Sequence, residues 1–242
     1  MAAETKKTDG ARTEALELWT RSAPFAFGPG EWTLSLDVES MPLHGTGFGV
    51  GACLFSPERK EVASFLAYAD YKSTPEHKLY LDDLDGVGKP GYVAKLDGST
   101  RAGIEYVLKN VVPAIPAEYR SETPGTRMSA SLAEMRQAFW ACYRAAADGV
   151  SAAKGATLVV AAECGFPVEA NFFRACILDD LAKRAYQGPF PLHEIATRVL
   201  AKCPDDKSPQ YAHLNRREPA ELPAHNPLCD ARQSARIWFE SL

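Results

Sequence analysis

No C-x-x-C pair occurs in this chain, although it has six cysteines: Cys53, Cys142, Cys164, Cys176, Cys203 and Cys229. Structural zinc ligands come in close pairs and disulfide frameworks in patterned spacings, so neither is indicated. Most of these cysteines lie within apolar runs, where they act as small buried hydrophobes, and a reduced, cytoplasmic chain is expected. No apolar run approaches the roughly 20 residues that span a bilayer, so a membrane is not an expected partner. The opening MAAETKKTDGARTEALE has no apolar stretch of the secretory kind, and residues 1–28 are expected to be a flexible lead-in. Basic charge is scarce as well: 27 Lys and Arg face 31 Asp and Glu, a net charge of −4. Proteins that coat long nucleic acids carry a basic surface. This balance argues against such a role, but not against an enzyme that holds a few nucleotides and offsets their phosphates with metal ions. Repeats and low-complexity tracts are absent too.

At 242 residues with 46% hydrophobic and 24% charged, the composition suits one globular domain, expected over residues 29–242. Residues 31–37 (EWTLSLD), 48–55 (FGVGACLF) and 61–68 (EVASFLAY) read as three strands of an antiparallel meander with short connections. Residues 70–155 are looser, with one helix expected near 101–110 and a clearer one from Ser131, where Ser131 and Glu134 form a capping box. ATLVVAAE suits a buried parallel strand. Helices are expected after Pro167, over PLHEIATRVLAKC, and from Asn226 and Pro227 to the end, the last with Leu228, Ala231, Ala235, Trp238 and Leu242 on one face. The pattern predicts an α/β fold with a mixed sheet, three antiparallel strands followed by parallel ones.

Three local patterns could carry chemistry. GTGFGVG (residues 45–51) runs straight into a strand with no helix behind it, so its alternating glycines point to close backbone approach rather than phosphate binding. In LDVES, Asp37 and Glu39 are two apart and share one side of a strand, a pair suited to Mg²⁺ or Mn²⁺ or, equally, to a solvated edge. In HNPLCD, Asp230 stands in the first turns of a helix, where the dipole favours an acid, and His225 precedes it as a candidate base at neutral pH. His44, His77, His193 and His213 have no comparable carboxylate neighbours in sequence.

In this order the elements resemble the DEDDh 3'-5' exonucleases, the DnaQ-like family that includes proofreading subunits and RNase T-like enzymes. LSLDVESMP resembles its first motif and HNPLCDARQSARIW its last, over about residues 32–70 and 156–242. The resemblance implies an RNase H-like five-stranded mixed sheet flanked by helices, with a divergent insertion within about residues 70–155. It implies two Mg²⁺ or Mn²⁺ ions held by Asp37, Glu39, Asp230 and a fourth acid, with His225 taking the proton from the attacking water. It also implies a single-stranded RNA or DNA 3' end as partner, met by the backbone around Ser40 and Met41, and a possible homodimer. The fourth acid departs from the family's aspartate: in VVAAECGFPVEANFFRACI it is Glu169 when aligned from the helix, or Glu163 when aligned from the strand. Arg174, Arg216, Arg217 and Arg232 are candidate phosphate contacts.

Overall fold

A computed structural model describes residues 18–21, 24–42, 44–72, 74–163, 165–202 and 217–241. The expected residues Cys164, Cys203, His213, Arg216 and Leu242 lie outside these. Strands β1 (Thr20–Arg21), β2 (Gly30–Met41), β3 (Thr46–Phe55), β4 (Glu61–Tyr68), β5 (Ala156–Ala162) and β6 (Leu192–Glu194) form one sheet in the order β1-β4-β3-β2-β5-β6. The neighbours β4, β3 and β2 pair antiparallel, and β5 and β6 add on in parallel, which is the five-stranded mixed arrangement expected of an RNase H-like fold. The two-residue β1 extends it along the outer edge of β4.

The lead-in is therefore shorter than expected from sequence. Trp19 is buried and its indole donates to the Cys142 carbonyl, so the chain is tied down before residue 28. A second difference is β6. PLHEIATRVLAKC was expected to be wholly helical, but Leu192 to Glu194 pair with Val160 to Ala162, and helix α6 (Ile195–Lys202) begins only afterwards. Three residues are too few for period 2 to show against a helical pattern.

Strand alternation divides the sheet into two faces. Leu34, Leu36 and Val38 of β2, with Val50, Ala52 and Leu54 of β3, join the main core. That core is closed by Met135, Phe139 and Trp140 of α3 (Leu132–Ala152) and by Phe172 and Phe173 of α4 (Ala170–Leu178). On the other face Cys53 and Phe55 pack against Ala231 and Ala235 of α7 (Pro227–Glu240), and Ala161 packs with Ile237 and Trp238. Asp37 and Glu39 belong to the odd-numbered set of β2, the set that faces α7.

The expected insertion divides in two. Its second half, α3, belongs to the main core. Its first half forms α1 (Pro75–Gly86), α2 (Gly98–Tyr106) and short turns, and closes a separate apolar cluster of Met41, Phe48, Tyr68, Ile104 and Tyr119. The chain between α4 and β6 adds the one-turn α5 (Leu181–Arg184). Among the described residues, no helix is long and apolar enough to cross a membrane.

A candidate metal centre at the end of β2

Two glycines of β3 shape the site. In the antiparallel register Gly51 stands opposite Asp37 and Gly49 opposite Glu39. A Cβ on Gly51 would lie 2.2 Å from the Leu228 nitrogen and the Pro227 carbonyl carbon, so only a glycine lets the start of α7 rest on the strand here. Asn226 fixes that start, its side chain accepting from the Leu228 and Cys229 amides at 3.1 and 3.4 Å. With the helix seated on Gly51, Asp230 in its first turn is brought to Asp37 and Glu39. GTGFGVG is thus a packing motif, as expected.

The parallel neighbour supplies more acid. Ser35 of β2 is level with Ala161 of β5, and two residues further along each strand stand Asp37 and Glu163. A wide, kinked turn over Gly165–Glu169 then returns the chain, so that Glu169 is buried at the entrance to α4 rather than the helix opening at Pro167. Glu163 and Glu169 therefore both approach the β2 carboxylates.

Electrostatics express this convergence. Burial, and then the charges of Glu39, Asp230, Glu169 and Glu163 in that order, hold the Asp37 carboxyl well above the usual range. Burial with Asp230 and Glu169 pushes Glu39 up to about 8, although Arg217 opposes the shift. Glu169 is pushed up to about 7 by burial and by Glu163 and Glu194, against hydrogen bonds from the backbone of Glu169 and Val38. Glu163 rises through burial and Asp230, and Asp230 through burial, against Arg217 and the His225 amide. Five carboxylates come together here, and among the described residues Arg217 is a cation paired with one of them. Its guanidinium donates to Asp230 Oδ1 and, at 2.8 Å, to the Glu221 carbonyl.

His225 is held beside them in a left-handed backbone conformation, φ 62°, which a non-glycine residue adopts at a cost. Its amide donates to Asp230 Oδ2 at 3.0 Å, and its Nε2 is 3.1 Å from the hydroxyl of Tyr106, the last residue of α2. The Tyr106 and His225 rings meet edge to face at 5.7 Å. Ligand atoms of Glu39, His225 and Asp230 all lie within 4.8 Å of one another, close enough to share a metal ion. The geometry thus makes His225 a possible ligand as well as a base. An excess of oxygen donors that raise one another's affinity for protons is a donor set that suits a hard divalent cation.

Ser40 and Met41, expected at the substrate, are both buried, and Ser40 Oγ donates to the Pro42 carbonyl at 3.0 Å. Of the arginines, Arg217 pairs with Asp230, and Arg232 is bound by both oxygens of Glu61 at 2.9 Å, which withdraws it from phosphate. Arg174 is exposed on α4. Sequence reasoning missed Tyr106 and the pairing of Arg217. The first contact spans 119 positions and leaves no local signal.

A scan against protein-family models finds no match, and a search of curated proteins finds none either.

Proposed function

We propose that this chain is a DnaQ-like, metal-dependent 3'-5' exonuclease that shortens single-stranded RNA or DNA. The observation that carries the reading is the meeting of Asp37, Glu39, Glu163, Glu169 and Asp230 beside His225. Asp37, Glu39 and Asp230, with Glu169 or Glu163, would hold two Mg²⁺ or Mn²⁺ ions. When bound, such ions supply Lewis-acid polarisation and charge neutralisation at a phosphodiester. His225 would take the proton of the attacking water, the general-base role that an imidazole commonly fills. Asp230 holds the His225 backbone, so one helix start aims both a ligand and the base. The backbone around Ser40 and Met41 would receive the terminal nucleotide.

End-labelled single-stranded RNA and DNA, incubated with Mg²⁺ or Mn²⁺, test this. Progressive loss from the 3' end is expected, with Asp37→Ala at least a hundredfold slower. Intact strands under both metals would sink the reading, and full activity in Asp37→Ala or His225→Ala would sink the site assignment.

A second reading, an exonuclease-fold protein that binds nucleic acid or a protein without cleaving, draws on Arg217, a cation already placed on Asp230. It also draws on the glutamate at the fourth acid. In that case strands bind but stay intact, and Mn²⁺ gives no thermal stabilisation.

A further inference from the structure

Glu39, Gly49 and Tyr68 form one row across three strands: Glu39 pairs with Gly49, and Gly49 with Tyr68. The middle position has no side chain, and the Tyr68 ring occupies the space. A Cβ on Gly49 would lie 2.7 Å from Tyr68 Cε1 and 3.5 Å from the Glu39 Cβ. Tyr68 is fully buried, and among the described residues its hydroxyl has no hydrogen-bond partner. Nearly all buried polar groups in folded proteins are bonded, so an orphan of this kind requires an explanation.

We infer that Tyr68 is a positioning residue for the carboxylate centre, its buried phenol donating a hydrogen bond to Glu39, directly or through one water, when that carboxylate turns to its working orientation. The inference deepens the metal-centre reading and rests on it. The row geometry puts the ring against Glu39 and the missing partner leaves the hydroxyl available. A phenol is an O–H donor at neutral pH, and a carboxylate oxygen is its natural acceptor. Carboxylates that bind metal are commonly oriented by such outer donors, and removing one costs about 10–100-fold in affinity or activity. Tyr119 packs on the same ring, centroid to centroid at 5.5 Å.

Tyr68→Phe removes one oxygen and preserves the packing. Calorimetric titration of Mn²⁺ into the wild type and this variant is expected to show binding about tenfold weaker in the variant, with the metal-free melting temperature unchanged or raised. A merely structural tyrosine would alter the melting temperature and not the metal affinity, so equal affinity overturns the inference. If the wild type takes up no Mn²⁺, the metal reading fails and this inference fails with it, an outcome distinct from equal affinity in the two proteins. With Tyr68→Phe and Glu39→Gln, effects on Mn²⁺ affinity that depart from their product by about threefold or more support the pairing, and multiplicative effects overturn it.

Discussion

Glu39 carries the sharpest single-residue consequence. Its carboxyl, raised to about 8, holds a proton in the folded protein that the unfolded chain, near 4.3, has already released. The folded state therefore binds more protons than the unfolded between about pH 4.5 and 8, and stability conferred at low pH is lost as pH rises through that window. Glu169, raised to about 7, adds to the loss below pH 7. Glu39→Gln keeps the shape and removes the charge, so the metal-free variant should melt higher than the wild type at pH 8 and lose most of that advantage at pH 5. Thermal denaturation at the two pH values checks this. A variant with the same pH dependence as the wild type would mean that Glu39 does not share the charge of its neighbours. At this scale spacing made legible the shared strand face of Asp37 and Glu39 and the helix-start position of Asp230, while their meeting with one another and with His225 was an expectation of the family resemblance alone. The choice between Glu163 and Glu169 was not legible. It depends on how far the turn after β5 carries the chain, and the turn brings both near. Tyr68 and Tyr106 were also invisible, since each meets the site only through long-range packing.

The start of α7 is the element on which the site depends. It is positioned by a cap at Asn226 and by the bare backbone of Gly51, so two substitutions away from the carboxylates should disturb them. Gly51→Ala drives a Cβ into the Pro227 and Leu228 backbone. It should cost about 1–3 kcal/mol, the range for overpacking, and depress activity more than folding, because Asp230 and His225 move with the helix. Asn226→Ala should cost about 1 kcal/mol. Chemical denaturation set beside the strand assay separates the two effects. Gly98→Ala, where nothing lies within 4 Å, is the matched control and should leave activity intact. The glycine motif was read correctly as close approach because no helix followed it. What approached was hidden, because α7 lies some 175 residues downstream, as in the contact of Cys53 with the Leu228 carbonyl.

On the scale of the whole molecule, a chain of net charge −4 gathers five carboxylates toward the C-terminal ends of β2 and β5, the side of the sheet on which open α/β folds place their ligands. Order of elements and strand polarity were readable because period-2 runs and short turns leave few topologies. Residues 70–131 were legible only in the helix near 101–110, since the remaining apolar residues follow no steady period and fold as a second cluster around Met41 and Tyr68. One inserted helix, α2, also reaches the site, through Tyr106 on His225. The central claim is that the gathered charge exists to hold metal. Titrating Mn²⁺ into the wild type and into Asp37→Ala, by calorimetry with melting followed in parallel, tests it most directly. Two ions per wild-type chain with a rise in melting temperature, both lost in Asp37→Ala, are expected. No heat and no thermal shift in the wild type would contradict it.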